Sequence, residues 1–213
     1  MSRKRSISTI LFGIALGAAA AATAEPVGAE PVGEVQTVVG SAELVRAGTT
    51  TPVRDGMGIE PGDELRTGEA GRLRVRFIDG SFATLGSLAA MTVERFEQPG
   101  GTGTRDAALA IAGGFVRAVA EKLVGASRFE VRTPTAVAAA RSTEWIVEVT
   151  REGTAVVAMS GRVSVRPTGP GPGEPVELNP GQGTDVAPGA APQPAKPWGE
   201  ARMARAMAAT KMP

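Results

Sequence analysis

The stretch from Gly58 to Phe96, GIEPGDELRTGEAGRLRVRFIDGSFATLGSLAAMTVERF, decides how this chain folds. Short polar turns separate short runs in which every second residue is apolar, the period of a strand with one buried and one wet face. Leu73, Val75 and Phe77 therefore point one way, and Arg72, Arg74 and Arg76 the other. Asp79-Gly80 can take positive φ cheaply, so the spacing predicts a hairpin with a tight two-residue turn between 73–78 and 82–85. Upstream, Pro61-Gly62-Asp63 supplies a fixed φ followed by a permissive residue, as a type II turn requires.

The same alternation extends outward. Residues 33–46 read as two strands joined at Gly40, residues 47–52 as a polar loop, and 91–96 as a further strand. The glycine-rich segment 98–106 reads as a solvated loop, because no Gly-Lys-Ser/Thr closes it as a phosphate cradle. Residues 107–124 carry Gly113-Gly114, which costs roughly 1 kcal/mol per glycine inside a helix, so two strands broken at the pair, with one helical turn near Glu121, are expected. Strands follow at 129–133, 137–140, 144–150 and 155–159, the last pairing back on its predecessor across Arg151-Glu152-Gly153. A weak repeat is visible: VVGSAELVR at 38–46 with EPGDEL at 60–65 is echoed by AMSGRVSVR at 158–166 with NPGQGTDV at 179–186. It suggests stacked coils or two related layers.

At its start, Arg3, Lys4 and Arg5 precede a nearly continuous apolar run from Ile7 to Ala22 and the small-x-small site Ala22-Thr23-Ala24. This is the pattern of a secretory signal peptide, residues 1–24; an uncleaved anchor would need about 20 apolar residues to span a bilayer. No later segment reads as a membrane-crossing helix. Cleavage removes three cations, so the 23 basic and 22 acidic residues become 20 and 22, a net charge of −2. That argues against nucleic acid as a partner, since phosphate binding needs surplus Lys and Arg. Residues 25–32 form a leader, 33–186 the domain, 187–198 a mobile Pro/Ala/Gly linker, and 199–213 a flexible tail able to form a short helix with Met203, Ala206, Met207 and Thr210 along one side.

The inventory narrows the chemistry. The chain has no His, Cys or Tyr, which removes the usual neutral-pH general base, the thiolate nucleophile and the soft metal ligands. No enzyme, no cofactor and no metal site are expected. Asp63, Asp79 and Asp185 stand beside turns, but their spacing fits no compact calcium loop.

Taken in order, the motifs resemble the FecR domain family, whose namesake is a periplasmic regulator of ferric citrate uptake. The matching residues are Gly33-Glu34-Val35, Gly40, the run Gly62 to Gly68 (GDELRTG), Leu73 to Phe77, Asp79-Gly80-Ser81 and Gly113 to Arg117. They continue through Phe129 to Ala136, Arg141 to Trp145, Gly161-Arg162-Val163 and Pro180-Gly181-Gln182. The resemblance implies an all-β fold, a short-stranded β-solenoid or a two-layer, sandwich-like domain. Ser142 departs from the family's Arg-Gly-Thr; if that glycine holds positive φ, the serine adopts it at a cost of about 1 kcal/mol. Iron-uptake regulators of the family place an anti-sigma segment and a membrane helix before this domain. Neither is read in this chain, so what carries over is an exported binding or sensing module.

Candidate contacts are the row Arg72, Arg74 and Arg76, suited to an envelope protein or an anionic envelope polymer, and Trp145. The alternatives are a solvated face paired with carboxylates such as Glu94, and a core tryptophan. The expected protein is a periplasmic or secreted, non-catalytic binding module. A carbohydrate- or peptidoglycan-binding module is the second reading, and a signalling regulator related to iron-uptake sensors the third.

Overall fold

The computed structural model describes residues 30–97, 106–121, 128–169 and 173–213. The expected signal peptide, most of the expected leader and the glycine-rich segment at 98–105 lie outside the described residues. In chain order the elements are β1 (Gly33–Val39), β2 (Ala42–Arg46), β3 (Thr49–Pro52), β4 (Gly58–Ile59), β5 (Glu64–Thr67), β6 (Arg72–Phe77), β7 (Phe82–Leu85), β8 (Ala90–Glu97) and β9 (Asp106–Val119). There follow β10 (Arg128–Arg132), β11 (Ala136–Ala140), β12 (Glu144–Thr150), β13 (Gly153–Ser160), β14 (Val163–Pro167), β15 (Val176–Leu178), β16 (Gln182–Val186), β17 (Lys196–Pro197) and α1 (Glu200–Ala209).

These strands pair as two layers that share one strand. Layer A runs β4-β1-β6-β7-β9-β12-β13-β16-β17, and layer B runs β3-β2-β5-β8-β9-β10-β11-β14-β15. The C-terminal half of β9 pairs with β7 and β12, and its N-terminal half pairs with β8 and, in parallel, with β10. Gly114, at φ 79°, turns the strand between them, and a Cβ there would meet Ala89 and Leu88. The glycine pair thus separates two strand halves, as its helix penalty suggested.

The two layers face each other over one core. Phe77 of layer A stacks on Phe96 of layer B at 5.0 Å, and Phe129 of layer B meets Trp145 of layer A edge-on at 5.6 Å. Leu65, Leu73, Val75, Leu85, Met91, Leu109, Val131 and Val147 fill the space between. Hairpins fall alternately in the two layers, β10–β11 in B, β12–β13 in A, β14–β15 in B, so the path coils while the architecture is a two-layer sandwich.

The predicted β6–β7 hairpin forms, but its loop is longer than two residues. Gly80 N–H closes a turn onto the Phe77 carbonyl, Gly80 itself takes φ 86°, and Phe77 N–H then bonds Ser81. This is a turn followed by a left-handed glycine, the usual three-residue connection. The Pro61-Gly62 turn forms as expected, with Asp63 N–H on the Glu60 carbonyl and Gly62 at φ 93°. Residues 47–52 are not a loop: Thr49–Pro52 pairs back on β2, and Ala47-Gly48 supplies the left-handed turn at φ 48° and 78°. Its β-branched threonines suit an exposed edge strand, which polarity alone conceals.

The repeat is real at one end. Gly40 and Gly161, at φ 67° and 66°, each carry the chain from layer A to layer B. The two Pro-Gly turns differ, because the first leads from A to B and the second from B to A. Ser142, between β11 and β12, does take φ 47°.

The C-terminal segment differs from the expectation of a mobile linker and free tail. Gln193 N–H bonds the Asp185 carbonyl, the Thr184 hydroxyl donates to the Gln193 carbonyl, and β17 pairs with β16. Beyond it, Trp198 and α1 lie on the outer face of layer A, where Ala206 and Trp198 form a second apolar cluster with Ile146, Ala155 and Val157. A helix this short is marginal alone, and the apolar outer residues of β12 and β13 supply its partner. Met203, Ala206 and Thr210 face inward, whereas Met207 is 44% exposed.

Candidate functional site

The outer face of layer A holds the arginine row found in the sequence, and the fold gives its members three different tasks. Arg72 reaches the end of α1, donating from Nε to the Ala209 carbonyl at 3.4 Å and from a terminal nitrogen to the Ala208 carbonyl at 3.3 Å. Arg74 lies over the Phe82 ring, 4.9 Å from its centroid, a cation–π contact across the hairpin. Arg76 alone is exposed, opposite Glu34 in the β1–β6 register. Glu94, expected as a pairing carboxylate, sits in layer B beside Arg132 at 3.7 Å and does not meet the row.

Trp145 is fully buried, edge-on to Phe129. It is a core side chain and offers no face to a partner, which corrects its placement among the contact residues. Alternation along β12 puts Trp145 inward and Ile146 outward; because α1 covers the outer side, both are buried, and the run EWIVEVT gives no sign of which face is wet.

What remains accessible is a corner at the hairpin tip. Ile78 is 46% exposed there, beside Arg76. A groove of about 430 Å³ opens next to them, walled by Pro31, Gly33, Glu34 and Gly58. Arg74 on Phe82 forms its neighbouring surface, and Arg117 pairs with Glu144 beyond. An exposed aliphatic tip flanked by guanidinium and aromatic surface has the composition of the centre of a protein interface.

The three turn-associated aspartates are not brought together. Asp63 is buried and accepts from Arg46 Nε at 2.7 Å, from an Arg46 terminal nitrogen at 2.6 Å and from Glu60 N–H at 2.8 Å. The Asp63 hydrogen bond holds the Arg46 guanidinium above its ordinary pKa. Asp79 accepts from Ser81 within its own turn. Asp185 takes both terminal nitrogens of Arg202, whose hydrogen bonds hold the carboxyl below the usual aspartate range. Arg202 also stacks on Trp198 at 3.9 Å, and Arg205 reaches Glu148 at 2.9 Å, so α1 is held by two ion pairs over an apolar seat. Sequence reading missed this anchorage, although the arginines at 202 and 205, three residues apart, were a visible signal of one charged helix side.

Among the described residues, no group of His, Cys, Asp and Glu could hold a metal ion. The buried carboxylates Asp63, Glu130 and Glu148 are each paired with arginine. This molecule is an all-β, two-layer sandwich of short strands. Residues 63–164 match the family model described as FecR protein, from the turn before β5 into β14. Two crystal structures of a candidate anti-sigma factor from Parabacteroides distasonis ATCC 8503 share the fold, with TM-scores of 0.54 and 0.52 at 18% and 19% identity. Each alignment covers 66% of this chain and 62% of the other, so the chain spans less than two thirds of the length of those structures. Comparison with curated proteins gives no match.

Proposed function

We propose that this protein is a non-catalytic signalling regulator of the FecR type that acts by binding a protein partner at the hairpin corner of layer A. The observation that carries the reading is the exposed Ile78 beside Arg76 and the adjoining groove, on a domain of a regulatory family. The candidate anti-sigma factor with the same fold supports a signalling role, and the reading that the sequence ranked third becomes the leading one. A non-catalytic role is supported by the missing His, Cys and Tyr and by arginine pairing of the buried carboxylates. Export to the periplasm or beyond is part of the proposal and is supported by the basic, apolar, small-residue order of residues 3–24. The carbohydrate-binding alternative loses its aromatic platform with the burial of Trp145.

Photo-crosslinking in cells from a reactive residue placed at Ile78, with Thr50 on the opposite layer as control, tests the contact. A discrete protein adduct from position 78 and none from position 50 is the expected result. Adducts to glycan alone, or equal adducts from both positions, would overturn it.

A further inference from the structure

Layer B carries a second set of arginines that the chain order scatters and the sheet collects. Phe129 lies opposite Ala140, and Ala140 opposite Val163, so one residue further along Arg128, Arg141 and Arg162 follow one another across three neighbouring strands. All three are exposed. Adjacent strands stand about 4.8 Å apart, and like charges directly opposite one another destabilise a sheet. Arg166 joins them from β14, and the floor between is made of small side chains, Ala139, Ala140 and Ser164. Two adjoining hollows of about 310 and 230 Å³ share Arg128, Ala139 and Ser164.

The carboxylates nearby do not neutralise this set. Glu130 is shared between Arg128 at 3.6 Å and Arg132 at 3.0 Å, and Asp106 is held by Arg95 at 2.7 Å. Arg141, Arg162 and Arg166 make no side-chain hydrogen bond or ion pair among the described residues. Four arginines line the two hollows against two glutamates, Glu130 and Glu177, a surplus of two positive charges. The whole processed chain is expected to be slightly acidic, so the surplus is local.

We propose that this face of layer B binds a phosphate-bearing ligand, with Arg141 and Arg162 gripping one phosphate and Arg166 and Arg128 an adjacent one. Phosphate fits better than carboxylate. It brings close to two negative charges and three acceptor oxygens to one point, which two guanidiniums can engage bidentately. The alanine floor leaves room for a tetrahedral group, and Ser164 offers a hydroxyl donor. The site lies on the layer opposite the proposed protein contact, so either can fail without the other.

Isothermal titration of the full chain with sodium tripolyphosphate tests it. Saturable one-to-one binding that weakens with salt is expected, together with a rise in melting temperature on adding the ligand. Arg141→Gln with Arg162→Gln should weaken binding at least tenfold and abolish that rise, while Arg54→Gln, on a distant turn, should change neither. Far-ultraviolet dichroism establishes that the variants are folded. Absence of saturable binding would overturn the proposal, as would equal binding by the double variant or full displacement by a polyglutamate peptide. A parallel arm asks for the source: sedimentation with phosphatidylglycerol vesicles that tripolyphosphate competes away places the phosphate on a lipid headgroup, and binding of free tripolyphosphate without sedimentation places it on a soluble ligand. Sedimentation that tripolyphosphate does not compete would overturn it.

Discussion

The Arg72 guanidinium, on the sixth strand, donates to the Ala209 carbonyl at the end of α1, 137 residues later. The last turn of α1 has no basic residue of its own, so a strand from the first half of the domain supplies the cation that helix carbonyls favour. Replacing Arg72 by Gln should cost about 0.5 kcal/mol of helix docking. Amide exchange read residue by residue should show faster exchange at 203–210 with β7 unchanged; equal protection in both proteins would refute the capping role.

Docking of α1 should weaken in acid. Arg202 holds the Asp185 carboxyl below its ordinary value, so the docked state favours the charged form. The sign follows: this contribution is complete above the undocked carboxyl's pKa of about 4 and is lost as pH falls through the lower, docked value. Trp198, stacked on Arg202, should report the change as a fluorescence transition below about pH 4. Asp185→Asn should remove that transition while leaving the sandwich folded.

Arg46, at the end of β2, pairs with Asp63 of the Gly-Asp-Glu-Leu run, with the Asp63 side chain 1% exposed and that of Arg46 40% exposed. Removing Arg46 leaves Asp63 with the Glu60 N–H as its remaining partner. Arg46→Ala should destabilise the domain by about 2 kcal/mol, below the full cost of breaking a buried pair because the arginine is partly solvated. Adding Asp63→Asn should recover part of the loss. Urea melts of the two single variants and the double variant give the coupling; additive losses would mean that the pair does not act as a unit.

Ser142 occupies the left-handed region at φ 47°. Ser142→Gly relieves about 1 kcal/mol of backbone strain and returns part of it as unfolded-chain entropy, so a net gain of about 0.5 kcal/mol is expected. Thermal melts of the two proteins measure it, and a loss of stability on substitution would contradict the assignment.

Strand positions were legible because alternation is a local consequence of which side of a pleat a residue occupies. Leu73, Val75 and Phe77 point inward because their neighbours in sequence must point outward. Turn chemistry was equally local at Pro61-Gly62, whereas the left-handed turn at Ser142 was expected only through the family resemblance. The β3 edge was missed because three threonines and a proline carry no alternating pattern, and the anchored tail because α1 is stabilised by β12 and β13 rather than by its own residues.

From its sequence alone this chain determined short alternating strands, left-handed turns and the absence of imidazole, thiol and phenol chemistry. Only the tertiary structure decided which arginines gather on one exposed face. Arg72, Arg74 and Arg76 are neighbours along one strand, yet α1 and Phe82 occupy the first two, whereas Arg128, Arg141 and Arg162 lie far apart in the chain and side by side in layer B. The reason is physical: periodicity along a strand assigns a residue to a face, but strand register and the elements packed on that face determine its neighbours.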